Sequence, residues 1–529
     1  MLHKKLPRTI TILASMAGTA MLSIAGTHKA AADGLSPPQT TGVAIATGQI
    51  ETAIAQLDDL SADIMERTGI PGMAVAVVHD GQVVYAKGFG VRKVGDGATV
   101  DADTVFQIAS VSKSVSATVI AHQVGKGVVQ WDTPLIRHLP GFQLHDPYVT
   151  QHATIGDLFA HRSGLPDHAG DDLEDLGYDR AQILERLRFL PLSPFRTSYA
   201  YTNFGLTAAA EAVAVASGQD WATLAEETIY KPLGMTATSS RFADFANRSN
   251  HAAPHVKVGA RYETKFQRQP DAQSPAGGVS SSVRDLARWM TMVMQNGTFA
   301  GRQIIPSDAL LPAITAQTIS SPSFAVDARP GMYGYGFNVG VTASGRMELS
   351  HSGAFALGAG TTFRIWPQAK VGIVVLTNAA PIGAPEALSM SFGDLVQFGK
   401  VTRDWLDAFA APFASMAAPT GALVGQPRPE SPSPPVAATL YTGTYGNAYY
   451  GDAVISERDG SLILTLGAAR IALPLTHWDS NDFTIAPVSE NEAPGSISRV
   501  RFAEGGGSPA QALTIEYLDE NGLGTFVRK

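Results

Sequence analysis

Residues 106–119 read FQIASVSKSVSATV, four serines around a single lysine. Val111, Val115 and Val119 recur at helical spacing, so the stretch predicts a helix beginning at about Ser110. On a helix, residues three apart share a face and adjacent residues do not. Ser110 alone stands three residues before Lys113, and no other lysine of the chain has a serine at that offset. The pair is either a hydroxyl within reach of an amine or a helix cap beside a solvated lysine. Taken alone, the stretch leaves both open.

The rest of the chain narrows the choice. Its 529 residues allow two or more domains, each with its own core. The net charge is −8 and no basic cluster follows residue 8, so there is no electrostatic footprint for nucleic acid. The absence of cysteine removes a disulfide framework, a thiol nucleophile, a Cys-based metal site and a lipid-bearing cysteine. At the start, Lys4, Lys5 and Arg8 precede an apolar stretch over 10–25, and Ala30, Ala31 and Ala32 precede Asp33. This pattern predicts a signal peptide over 1–32, too short to span a membrane, and a periplasmic or secreted protein. No second hydrophobic span follows.

A helical stretch is expected over 50–67. Next, MAVAVVHDGQVVYAKGFG (73–90) gives two β-rich runs around Asp80-Gly81, a hairpin signal. Helices broken by loops fill about 115–300, and strands return in MYGYGFNVGVTASGRMELSHSG and TTFRIWPQAKVGIVVLTN. The expected fold is α+β, with one antiparallel sheet built from distant parts of the chain, flanked by helices and carrying a helical subdomain. This unit spans 33–417. Residues 418–436 hold six prolines and predict a semi-rigid linker between independently folded units. Beyond it, 437–529 shows short alternating strands with Asp459-Gly460 and Asn521-Gly522 turns, expected to form a small all-β barrel.

A neutral lysine can replace the histidine of a Ser-His-Asp triad, but free lysine titrates near ~10.4, so burial or a nearby cation has to lower that value. SYAYTNFG (198–205) supplies two further groups. Tyr201 and Asn203 are two apart, so on extended or turn backbone both point one way. A phenol can relay a proton, and a carboxamide can hold the lysine and bind a substrate amide. The plain alternative is a packing aromatic beside a turn asparagine. ELSHSGAFALG (348–358) ends a β-run in His351, Ser352 and Gly353, small residues past which a substrate backbone can approach a strand.

Together, Ser110-Val111-Ser112-Lys113, Tyr201-Thr202-Asn203 and His351-Ser352-Gly353 occur in an order that resembles the serine penicillin-recognising hydrolases. That family includes class C β-lactamases, low-molecular-weight penicillin-binding proteins, D-aminopeptidases and related esterases. The resemblance covers about 50–400 and extends to LFAHRSGLPDH, KPLGMTATSS and SPAGGVSSSVRDLARWM. It implies a β-lactamase/transpeptidase-like fold and an acyl-enzyme on Ser110, with Lys113 as base and Tyr201 as proton shuttle. Asn203, His351, Ser352 and Gly353 would hold substrate, and the backbone N–H groups of Ser110 and Ala354 would form the oxyanion hole. It implies no cofactor and no metal. Histidine at 351 departs from the lysine-threonine-glycine form of the lactamases. It would give only a weak, pH-dependent charge to a substrate carboxylate, gaining strength as pH falls toward ~6.

That departure moves the expectation toward a peptidase on short peptides with D- or otherwise unusual residues, linearised cyclic peptides among them. A β-lactamase or carboxylesterase of the same family is the alternative, and a penicillin-binding or sensing protein that acylates without turnover is a third. The C-terminal module, through YTGTYGNAYYG and LPLTHWDSNDFT, resembles lipocalin-like barrels that mediate homo-oligomer assembly and shape access in such peptidases. Other constellations give less. There is no G-x-S-x-G elbow, His251 and His255 lack an H-E-x-x-H context, His161 reads as a loop brace, and Asp167 and His168 read as loop residues.

Overall fold

The computed structural model describes residues 42–503 and 507–529; the expected signal peptide lies outside them. The first helical stretch is two helices, α1 (Gln49–Ala55) and α2 (Leu57–Thr68), which meet at Gln56. Strands β1 (Gly72–His79) and β2 (Gln82–Gly90) follow. Asp80 and Gly81 between them have φ of 47° and 79°, the paired left-handed values of a type I′ hairpin.

The helical middle holds α3 (Val111–Gly125), the short α4 (Asp171–Asp175), α5 (Asn203–Ser217) and α6 (Val283–Met294). Six strands then return: β3 (Thr318–Ser321), β4 (Gly331–Tyr333), β5 (Asn338–Val341), β6 (Met347–Phe355), β7 (Ala359–Trp366) and β8 (Val371–Thr377). Helix α7 (Ala384–Phe398) closes this part. The sheet order is β2-β1-β8-β7-β6-β5-β4-β3, antiparallel throughout. Ala74 of β1 pairs with Leu376 of β8, so the first and last strands of this body lie side by side, near the β2 edge of the sheet.

Strand alternation sorts the core into two layers. Met73, Val75 and Val77 pack with Leu57, Ile64, Leu388 and Phe392 on the α2/α7 face. Ala74, Ala76 and Val78 face the opposite layer, where Val111, Val115, Trp289 and Phe363 lie. Buried on both sides, β1 is therefore apolar along its length instead of alternating with polar residues.

The C-terminal unit is a nine-stranded antiparallel sheet: β9 (Gly443–Asn447), β10 (Gly451–Arg458), β11 (Ser461–Leu466), β12 (Ile471–Pro474), β13 (Thr476–Asp479), β14 (Asp482–Ile485), β15 (Ser498–Phe502), β16 (Ala512–Ile515) and β17 (Thr525–Arg528). Its order is β12-β11-β10-β9-β17-β16-β15-β14-β13. The two end strands, β12 and β13, are consecutive in sequence, and the sheet curls into a nearly closed barrel. Residues 418–436 form neither helix nor strand. They are strapped to the barrel by Thr420 to Glu492 (2.6 Å), the Ala422 N–H to Glu516 (2.8 Å) and the Ser433 N–H to Asp479 (2.6 Å).

The barrel also sits against α4. The Tyr178 hydroxyl donates to the Tyr450 carbonyl (2.7 Å), Asn491 Nδ2 to Asp175 (2.8 Å), and the Ala469 N–H to the Leu176 carbonyl (3.1 Å). Gly467 makes the approach possible, because a Cβ there would stand 2.3 Å from the Leu176 carbonyl oxygen. A second contact reaches the end of β6: Glu490 accepts from the N–H groups of Ala356 (2.6 Å) and Leu357 (3.3 Å).

Candidate active site

The approach to Ser110 is fixed by backbone. Phe106 and Gln107 pair with Ser281 and Ser280, and the Ile108 N–H bonds to the Val279 carbonyl (3.0 Å). Ala109 then takes φ 47°, a left-handed value that few non-glycine residues adopt away from turns and functional sites. Ser110 is the N-cap of α3, yet its side chain makes no capping hydrogen bond. Its hydroxyl lies instead 3.2 Å from Lys113 Nζ, as the three-residue spacing requires.

The neighbouring serines are occupied. Ser112 Oγ accepts from the Val279 N–H (3.0 Å), Ser114 donates to the Gly336 carbonyl (2.5 Å) and Ser116 to the Pro275 carbonyl (2.6 Å). All three are buried, whereas Ser110 is partly open. Only one hydroxyl of the four is both partly open and beside the amine.

Lys113 is completely buried. Burial penalises the ammonium and lowers its pKa to about 7, against an opposing pull from the Asp171 charge. Nζ donates to Asn203 Oδ1 (2.6 Å) and to the Ala276 carbonyl (3.0 Å), and lies 4.5 Å from the centre of the Tyr201 ring. A neutral amine has two N–H bonds and one lone pair. With the two bonds taken by Asn203 and Ala276, the lone pair is left facing Ser110. That is the geometry of a base for the hydroxyl proton.

Tyr201 is hydrogen-bonded to Ser110, and burial pushes its phenol well above the ordinary value. It stays protonated at neutral pH and can therefore give a proton to a leaving group. Its segment is held by the preceding loop. His161, itself at φ 55°, accepts the Thr202 N–H at Nδ1 (3.2 Å), and the His168 N–H bonds to the Tyr201 carbonyl (2.8 Å). Thr202 is extended and Asn203 opens α5, so the two flanking side chains converge on Lys113.

On β6 the alternation separates the third motif. His351 and Gly353 are buried on the face toward α3, while Ser352 points to the other face, 3.3 Å from Thr362 Oγ1. The Ser352 side chain therefore points away from Ser110, because adjacent strand residues face opposite ways. Gly353 is needed for close approach: a Cβ there would stand 3.0 Å from the Ser110 nitrogen and 2.4 Å from the Ile108 carbonyl oxygen. Strand β5 pairs with β6 only as far as Ser350, so 351–355 has a strand neighbour on one side only. The backbone of Gly353 and Ala354 thus runs past the Ser110 N–H on an open strand edge.

The expectation of a titrating charge at His351 is overturned. Nδ1 donates to the Ser352 carbonyl (2.7 Å), and Nε2 accepts from the Tyr333 hydroxyl (2.9 Å). Burial, with Lys113 nearby, lowers its pKa to about 3. The imidazole is neutral at pH 6 and both its nitrogens are engaged.

Two groups passed over in the sequence bear on the site. Asp171 accepts from Asn203 Nδ2 (2.8 Å) and from His168 Nδ1 (2.8 Å). Glu490 of the barrel braces the two residues that follow Phe355. Neither contact carries a sequence signal, because the partners lie 32 and more than 130 residues apart. A cleft of about 860 Å³, lined by Phe142, Glu174, Tyr178, Arg180, Leu184 and Arg268, contains none of Ser110, Lys113 and Tyr201. Among the described residues no cluster of side chains could hold a metal ion, and no helix is long and apolar enough to cross a membrane.

A family model described as Beta-lactamase matches residues 57–389, and one described as a domain of unknown function, DUF3471, matches 427–515. The unguisins hydrolase ungD of Aspergillus violaceofuscus is 27% identical over 454 residues, covering 78% of this chain and 80% of that one. The D-alanyl-D-alanine-carboxypeptidase/endopeptidase AmpH of Escherichia coli is 23% identical over 351 residues, covering 64% of this chain and 89% of its own. Among solved structures, the octameric penicillin-binding protein homologue from Pyrococcus abyssi superposes with a TM-score of 0.58 at 18% identity, over 88% of this chain and 98% of that one. At that identity the superposition speaks to the fold alone.

Proposed function

The chain belongs to the beta-lactamase family of serine hydrolases, and from that premise we propose that it is an exported peptidase working through an acyl-enzyme on Ser110. The observation that carries the reading is the set of partners around Lys113 Nζ, two carbonyl-type acceptors and the Ser110 hydroxyl. In the first step Lys113 takes the Ser110 proton as Oγ bonds to the substrate carbonyl carbon. The oxyanion that forms is met by the N–H groups of Ser110 and Ala354. Collapse breaks the C–N or C–O bond, with the Tyr201 hydroxyl giving its proton to the leaving group and recovering one from Lys113. Water then attacks the acyl carbon and gives a proton to Lys113; collapse breaks the Ser110 Oγ–acyl bond, releases the acid, and Lys113 returns the proton to Ser110 Oγ.

Substrate class is argued from position 351. A neutral imidazole with both nitrogens engaged supplies no cation for a carboxylate beside the scissile bond, which disfavours β-lactams and favours neutral acyl groups. Short peptides, D-residue peptides and linearised cyclic peptides fit that condition. So do simple esters, which makes a carboxylesterase the second reading. The relatives' printed activities, a hydrolase and a carboxypeptidase/endopeptidase, support hydrolysis, and the second supports a peptidase. A homo-oligomer built through the barrel is part of the same proposal, as are domain limits at 33–417 and 437–529.

Ser110→Ala should abolish turnover and labelling by a fluorescent serine-reactive phosphonate, while Ser112→Ala keeps its label. In the wild type, D- and L-peptide anilides should turn over faster than a chromogenic cephalosporin. A label mapped to Ser112 would remove the nucleophile assignment. Preferred turnover of the cephalosporin would make the protein a β-lactamase.

A further inference from the structure

Asp171 does not touch Ser110, yet it stands directly behind the group that fixes the lysine. It is 4% exposed and opens α4 after Gly170, whose φ is 93°. One oxygen, Oδ2, accepts both from Asn203 Nδ2 (2.8 Å) and from His168 Nδ1 (2.8 Å). The other, Oδ1, is buried without a hydrogen-bond partner. A carboxylate only accepts, so it selects the NH₂ end of the Asn203 carboxamide and turns the oxygen end toward Lys113 Nζ, 2.6 Å away. A flipped carboxamide would set an NH₂ group against the amine. The lysine would then lose an acceptor, and nothing would direct its lone pair at Ser110.

We propose that Asp171 is the positioning residue of the reaction: through Asn203 it aims the Lys113 lone pair at Ser110, with His168 as its counterion. The proposal rests on the Ser110–Lys113 reading above. The arrangement also sets the charge on the base. Lys113 is surrounded by the Tyr201 phenol and by His161 and His351, both held neutral by burial. Asp171 is the one anion whose field raises the lysine against burial. Asp171 in turn has Asp172, Glu174 and Asp175 along α4, Tyr449 from the barrel, and His168 with Asp167 beside it. His168 is bound to this carboxylate and raised to about 9, so it is a cation at neutral pH and partly offsets the Asp171 charge.

Asp171→Asn keeps the size, removes the charge and can donate where the carboxylate only accepts. His168→Gln can still donate to Asp171 but removes the cation. Both are compared with wild type by the second-order rate of phosphonate labelling between pH 5.5 and 9.5, with Ser110→Ala as the blank. Asp171→Asn should label about tenfold more slowly at pH 8. Its acid limb should move to lower pH by about half a unit or more, because the protonated lysine has lost its anion. His168→Gln should move the limb the opposite way, to higher pH. A merely structural residue would slow labelling without moving either limb. Limbs unmoved in both variants overturn the proposal, and if Asp171→Asn fails to fold, the direction of the His168→Gln shift decides alone. Labelling that persists in Ser110→Ala would overturn the underlying nucleophile reading instead.

Discussion

The centre of the catalytic body and its seam with the barrel bury ionisable groups by the same physics and with opposite consequences. At the centre, burial lowers Lys113 to about 7, so the base becomes available as pH rises through that value. At the seam, burial raises Asp172 and Glu490 to about 8, with Asp175 adding to both and Arg268 opposing it at Glu490. A carboxyl whose folded pKa lies above its unfolded one contributes stability that is complete below about pH 4 and is lost as pH rises through about 8. The body therefore gains its chemistry over the range in which the seam loses its hold. The contrast teaches that desolvation serves function where the neutral form is the reactive one and limits assembly where the charged form repels its neighbours.

The largest break in this comparison is to remove one side of it. A chain ending near Pro419 lacks the contacts to α4 and to the end of β6, so Asp171 and the Ala354 backbone lose their support. Its phosphonate labelling rate at pH 7 should fall about tenfold or more while Ser110 remains the labelled residue, since small displacements at such a site cost that much. Labelling at the full rate would show that the body organises its site without the barrel.

A smaller effect sharpens the seam. Glu490→Gln cannot ionise and keeps an acceptor for one of the two N–H groups, which bond separate oxygens in the wild type. Its thermal midpoint relative to wild type should rise by about 2–4 °C between pH 5 and pH 9. A difference from wild type that is the same at both values would mean that the carboxyl is not desolvated in the folded protein.

How much of this could be read in advance follows the range of the interactions. The Ser110–Lys113 pair is one helical turn, and the Asp80-Gly81 hairpin is two residues with φ of 47° and 79°; both are local and both were legible. The α+β sheet was legible as well, because apolar strand runs at both ends of the body flank a helical middle. Orientation was not. Ser352 faces away because strand neighbours alternate, and His351 is neutral because burial and the nearby Lys113 disfavour its charge, with Tyr333, 18 residues earlier, taking up its Nε2 at 2.9 Å. Asp171 was hidden among acidic neighbours, its partner Asn203 being 32 residues on. The proline-rich segment reads as a spacer by composition, whereas its bonds to Asp479, Glu492 and Glu516 appear only once the barrel has formed.

The central claim is that Ser110 is acylated with the help of a Lys113 that is neutral at physiological pH. The pH dependence of the acylation rate of the wild-type protein, followed with the phosphonate, tests it directly. The account predicts a rate that is level above a midpoint near 7 and falls about tenfold per unit below it, as protons occupy the lysine. A rate still climbing steeply between pH 9 and 10.5 would show that Lys113 keeps its proton in the folded protein and is not the base.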